Sequence, residues 1–293
     1  MKKNGKKLTS LLMIISMLFS MIILPPTAVS AESPQAGDHD LYLLEEVLQK
    51  SAVPSGFTGI YSEEDLLSIV KGDRTANYIL MKDLDLSGLD WVPLKFPSQW
   101  DYAGTFDGNG HTINISHGET EESTALFYGN EGTIKNLRLT GTIDVYHEYL
   151  GNRQAASVAL ENVGTIRNCT SSVDYVSSGG SPVLMAGIVA TNGGTVSHCR
   201  YTGSMKSSAR GDANFGGIAY YNNYHYNDYN NRYDRIGKIE YCESNSRMTV
   251  LMGGEEDIVA FVNGGEVIIG GIVGEAQMET SVEVCRFTGS VYV

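Results

Sequence analysis

Two groups of residues in this chain have the types and spacing to do chemistry. The first is a tyrosine- and asparagine-rich stretch, YYNNYHYNDYNNRYDR (Tyr220 to Arg235), with Tyr220, Tyr221, Tyr224, His225, Tyr226, Tyr229 and Tyr233 as candidate contact residues. Tyrosine gives a large amphipathic contact at little entropic cost, and asparagine gives adaptable hydrogen bonds, so the chemistry is recognition of a glycan or a protein. The competing reading lays these tyrosines flat on the wall of the fold. The second group is four cysteines, Cys169, Cys199, Cys242 and Cys285. Metal ligation needs thiolates converging on one centre, and there is no Cys-x-x-Cys pair. Disulfides and buried free thiols remain, and the packing preference of free cysteine favours reduced thiols.

Other catalytic signatures are absent from the sequence. It contains no His-Glu-x-x-His zinc pair, no Gly-x-Ser-x-Gly elbow and no phosphate-cradling glycine loop. Two acids share one repeat position, Glu240 and Glu283, beside Lys135 and Arg167, which is thin support for a glycoside-cleaving pair. Neither a cofactor nor a metal is implied.

The elements that must position these residues follow from a repeat. Units begin at Gly132, Gly164, Gly194, Gly237 and Thr280, and each cysteine stands five residues after a start, with Leu137 in that place in the first unit. Ile134, Ile166, Val196, Ile239 and Val282 form a second column two residues after the start. Leu139, Ser171, Tyr201, Ser244 and Phe287 form a third, seven after it. A period of about 30 residues means a solenoid. The cysteine and +7 columns are one alternation apart and share a strand face, whereas the three-residue step from +2 to +5 demands a bend. Strands joined by repeated bends make an all-β parallel β-helix with rungs about 4.8 Å apart. The tyrosine stretch is then an insertion of thirteen residues into one coil, and a second insertion carries the acidic run Gly253 to Asp257.

Asn130, Asn162, Asn192 and Asn222 also share a phase. We read them as a structural ladder satisfying the backbone at a tight turn, where asparagine tolerates left-handed backbone, in preference to a sugar- or ion-binding row. The outward +6 row, Arg138, Thr170, Arg200, Glu243 and Arg286, reads as a surface salt-bridge row.

The N-terminal 1–31 segment has a lysine-rich head, an apolar run from Leu8 to Leu24, and small residues at Val29-Ser30-Ala31. This predicts a signal peptide cleaved before Glu32, in preference to an uncleaved anchor, and places the protein outside the cell. Cleavage removes four of 21 basic residues and none of 34 acidic ones, deepening a net charge of −13. That balance argues against nucleic acid and anionic membranes as partners. Residues 32–56 are predicted to be a polar linker with a short helix at Leu41 to Lys50. Residues 57–77 are predicted to form an N-terminal cap helix started by Ser62 and ended by Gly72, and 78–293 the β-helix, which stops in mid-repeat.

The segments YILMKDLDLSGLDWVPL and YAGTFDGNGHTINIS (between Tyr78 and Ser116), Ala186 to Ala190 with Gly194 to Cys199, and Gly270 to Gly274 resemble the rungs of bacterial surface β-helix proteins that carry GLUG repeats. The resemblance covers Tyr61 to Val293 and implies a right-handed parallel β-helix, secreted or wall-associated. Such repeats also precede the catalytic domain of IgA1-protease-type metallopeptidases, whose catalytic motifs this sequence lacks. The expectation is a non-catalytic module for adhesion or ligand binding, with a glycan or a host or cell-surface protein as partner. The alternatives are a polysaccharide lyase or hydrolase, or the leader region of a larger surface protease or adhesin.

Overall fold

A computed structural model of the chain describes residues 52–97, 101–120, 123–147, 153–179, 183–208, 212–227, 232–250, 267–276 and 280–293, with backbone only at 119–120, 147, 179, 224–227, 232–235 and 267. The signal segment, the Leu41 to Lys50 helix and the acidic run at Gly253 to Asp257 lie outside the described residues. Among the described residues no helix is long and apolar enough to cross a membrane.

One full coil shows the architecture. Thr133–Lys135, Arg138–Thr140, Thr142–His147, Arg153–Ala156 and Phe127–Asn130 or its successor Ala159–Asn162 are short strands separated by bends, and each pairs with its counterpart one coil away. Among the described strands five parallel sheets result, with eight, seven, six, four and six strands in the order in which the coil visits them. The chain is a parallel β-helix. Its +2 column is the first sheet's inward row, in register from Ile134 through Ile166, Val196 and Ile239 to Val282. The second sheet carries the +6 and +7 columns, from Arg138 and Leu139 to Arg286 and Phe287.

The bend between +2 and +5 has a specific backbone. The +4 residues Asn136, Asn168, His198, Tyr241 and Val284 all have φ between 51° and 54°. That left-handed conformation flips the chain so that +2 and +5 both point inward. Asparagine adopts it cheaply, whereas a β-branched residue does so at a cost of about 1–2 kcal/mol. The two asparagines are linked across the bend, Asn168 Nδ2 donating to Asn136 Oδ1 at 2.7 Å and Asn136 Nδ2 to Asp107 Oδ1 at 2.9 Å. Burial opposes ionisation of Asp107, but bonds from Asn136, the Asn109 N–H and Lys135 outweigh it and hold the carboxyl below its usual range.

The start of the solenoid differs from expectation. Phe57–Ile60 is a strand, paired in parallel with Asn77–Leu80, so the coil begins at Phe57 and not at Tyr78. The helix, Glu63–Ser68 followed by a 3-10 turn at Ile69–Lys71, is a connection inside the first coil and not a cap ahead of it. Ser62 Oγ accepts the Asp65 N–H at 3.0 Å, as a cap should, but the Asp65 carboxylate takes the Tyr61 N–H instead of that of Ser62. Leu66 and Ile69 are buried, with Leu67 and Val70 packed alongside.

The first coils are filled by rings. Trp91, Phe96, Tyr102, Phe106 and Phe127 are buried, with Phe96 stacked on Tyr102 at 5.6 Å and Phe106 edge-on to Phe127 at 5.2 Å. Later coils are filled by the aliphatic columns, the thiols, and Tyr175 and Tyr201.

Candidate functional site

The asparagine ladder is the device that holds the inserted segment. Asn130, Asn162, Asn192 and Asn222 are all at most 1% exposed. Each amide donates to the next: Asn130 to Asn162 at 2.7 Å, Asn162 to Asn192 at 2.7 Å, and Asn192 to Asn222 at 2.8 Å. In the first three, Nδ2 also faces the carbonyl of the unit-start glycine two residues on, as Asn192 does with Gly194 O at 3.2 Å. A Cβ on Gly164 would collide with the Gly132 carbonyl oxygen, so the approach of neighbouring coils at this corner dictates glycine. The left-handed backbone expected of the ladder is not there. Its members close strands of the fifth sheet, and the left-handed asparagines among the described residues are Asn109, Asn136 and Asn168.

In the fourth rung the ladder spans the insertion. Asn222 Nδ2 donates to Gly237 O at 3.2 Å, and the Gly237 N–H donates to Asn223 O at 2.9 Å. The segment between leaves the wall as a hairpin, Tyr224–Asn227 against Arg232–Ile236. It is the one antiparallel pairing among the described strands. Tyr226 pairs with Tyr233, His225 with Arg235, and Tyr224 with Ile236, which is 53% exposed at the base. Tyr229 lies outside the described residues.

Two of the tyrosines are on the wall itself. Tyr220 is 2% exposed, which removes it from the contact surface. In the fourth and fifth sheets Ala155, Met185, Phe215, Ala159 and Val189 face the main core. The residues alternating with them (Ala156, Leu184, Leu160, Ala190 and Tyr220) form a second apolar cluster on the opposite face. The two sheets meet at a closed outer angle, and Tyr220 fills it. Its ring lies where a side chain on Gly274 of the next rung would be. Tyr221, half-buried, sits edge-on to it at 4.3 Å. The sequence carried a signal for this cluster: small residues recur at Ala156, Ala186 and Ala190, where outward positions would otherwise be polar.

The cysteines are free thiols stacked on successive rungs, three buried and Cys285 partly exposed on the last. Each Sγ lies 3.3 Å from the carbonyl oxygen two residues earlier, as from Cys199 to Ser197 and from Cys285 to Glu283. Burial pushes the Cys199 thiol well up, and neighbouring Cys169 and Cys242 add to the shift. Four thiols are expected when the denatured, unreduced protein is titrated, and in the folded protein Cys285 should alkylate first. Finding two thiols or none would refute the reduced column.

The carboxylate pair offers little. Glu240 and Glu283 are register partners on adjacent rungs, and Glu240 is bound to Lys238 Nζ at 2.8 Å. In the +6 row Arg200 Nε meets Glu243 at 3.5 Å. Among the described residues no three histidine, cysteine or acidic side chains could together hold a metal ion.

No known family profile matches the chain, and no curated protein matches it in sequence. A crystal structure of a Bacteroides ovatus protein, provisionally named an immunoglobulin A1 protease, is similar to it in fold. The two are 16% identical with a TM-score of 0.50 over 82% of this chain and 79% of that one. At that identity the likeness concerns the fold alone.

Proposed function

We propose that this chain is an extracellular, non-catalytic recognition module whose β-helix wall presents the 224–236 hairpin to a glycan or a protein. The hairpin carries the reading: it is the one antiparallel element among the described strands, is rich in tyrosine and asparagine, and is clamped at its base by the buried Asn222. A clamped base presents contact residues with less ordering cost on binding, and preorganisation of that kind raises affinity. Signal-peptide features support placement outside the cell, as a secreted or surface-held protein. The neighbour's name suggests a protease context. The sequence has no His-Glu-x-x-His pair, so the reading stays with recognition.

The test joins Asn223 to Ile236 with two glycines in place of 224–235 and compares both proteins on glycan arrays and on panels of purified surface glycoproteins. The fold should survive, because the strand after the hairpin pairs independently with its predecessor through Thr195↔Lys238 and Val196↔Ile239. Binding by the full chain is expected to fall at least a hundredfold in the shortened one while the unfolding midpoint changes little. Unchanged binding would place the contact elsewhere, and release of reducing or unsaturated sugar ends by the full chain would overturn the non-catalytic reading.

A further inference from the structure

A second surface, separate from the hairpin, has features that the repeat does not require. At the bend between the first and second sheets two rungs use asparagine for left-handed backbone, but the next two use His198 and Tyr241, at φ of 53° each. Histidine tolerates that conformation but tyrosine does not favour it, and asparagine at the same position in the same fold does the structural work without strain. Both side chains are exposed, Tyr241 by 52%, and their rings stack at 5.0 Å with 26° between planes. Val284 holds the same backbone on the following rung at φ of 51°, so what sets these two rungs apart is the exposed, stacked pair of rings.

Beside this ridge runs the outer face of the second sheet. Thr170 lies between Arg138 and Arg200 in the +6 row, and a groove of about 280 Å³ is lined by these three with Thr140 and Thr202. The arginines are two rungs apart, about 9.6 Å along the solenoid axis. Arg200 Nε meets Glu243 Oε2 at 3.5 Å, and Arg138 stands within electrostatic reach of Asp83, whose carboxyl the Thr112 N–H, helped by Arg138, holds below its usual range. Carboxylates bound the face: Asp83 accepts the Thr112 N–H at 2.8 Å at one end, and Glu243 stands at the other. The acidic excess of the whole chain is screened beyond about 8 Å at physiological ionic strength, so the local guanidinium groups decide what this face attracts.

We propose that this face binds an extended acidic polysaccharide lying along the solenoid axis, with Arg138 and Arg200 each taking a carboxylate or sulfate and the His198–Tyr241 edge stacking on a sugar ring. A rung is close to the length of one extended pyranose unit, so arginines on alternate rungs match a chain charged on alternate sugars. Guanidinium holds a carboxylate by paired hydrogen bonds, threonine hydroxyls serve the neutral sugar between, and aromatic rings cover its apolar face.

The probe is hyaluronan hexasaccharide, which carries one carboxylate per disaccharide, measured by calorimetry beside its methyl ester. The full chain should bind the acid at least tenfold more tightly than the ester, and more weakly as salt rises. Arg138→Ala with Arg200→Ala should lose at least tenfold. Tyr241→Asn should also weaken binding severalfold while raising the unfolding midpoint, a pair of opposite effects that a purely structural tyrosine would not give. Deleting the hairpin should leave this binding intact, which separates the result from the fate of the hairpin proposal. No binding at millimolar hexasaccharide, equal binding of the ester, or unchanged affinity in the double arginine variant would overturn it.

Discussion

Asn162→Ala is expected to destabilise the protein by about 3–5 kcal/mol, seen as a lowered midpoint in urea unfolding. Asn162 accepts from Asn130 and donates to Asn192, each at 2.7 Å, with no exposed surface. Alanine leaves the Asn130 amide with only long contacts to the Gly132 and Thr165 carbonyls at 3.4 Å, and the Asn192 oxygen with only the Gly194 N–H at 3.2 Å. Each buried group so deprived of its short bond costs about 1–3 kcal/mol. The effect should reach the hairpin, because Asn192 in turn positions Asn222 at its base. Asn162→Asp should be no rescue, since its second oxygen would face the Asn192 oxygen and the Gly164 carbonyl that the amide now serves. Asn168→Gly is the control. It breaks an asparagine–asparagine bond of the same 2.7 Å length on the exposed bend and keeps the left-handed backbone, so its cost should stay near or below 1 kcal/mol. Equal losses at 162 and 168 would show that burial is not what gives the ladder its strength.

Tyr102→Ala should cost about as much, 3–5 kcal/mol by the range for large aromatic truncations in a core, but at the other end of the stack. Its ring is fully buried between Phe96 and Phe127, with centroids at 5.6 and 5.5 Å, and its hydroxyl donates to Ala76 O at 2.7 Å. Burial pushes the phenol far above its ordinary pKa, so it stays a neutral donor. Tyr102 is also the register partner of Asn130, where the amide ladder gives way to rings. Tyr102→Phe, which loses only the hydrogen bond, should cost about 1–2 kcal/mol. In a solenoid each coil is supported mainly by its neighbours, so the damage should appear first as amide exchange and proteolysis in the early coils. Protection lost evenly along the chain would contradict that picture.

Much of this fold was legible in the residues. The columns at +2, +5 and +7 came from spacing, and the strands pair in that register from Ile134 to Val282 and from Leu139 to Phe287. The bend was legible because a three-residue step cannot keep two inward residues on one flat strand. The left-handed backbone expected at the ladder's own tight turn stands instead at this bend, on Asn136 and Asn168, since phase shows that Asn162 recurs but not whether the backbone there is left-handed. The strand Phe57–Ile60 escaped because four residues holding a glycine, just after Pro54-Ser55-Gly56, carry too little alternation to stand out. Of the proposed contact tyrosines, the hairpin members follow an insertion visible in the spacing, but Tyr220 belongs to the wall.

The sequence by itself determined the solenoid, its period, its inward columns and the places where loops interrupt it. Those properties arise from side-chain alternation and a repeated coil length, both of which are local. Only the tertiary structure decided which outward positions are buried. The angle between the fourth and fifth sheets closes over Leu160, Leu184 and Tyr220, while the bend beside the second sheet leaves His198 and Tyr241 in solvent. An angle between sheets depends on how all the rungs pack together, and no single unit of the repeat encodes it.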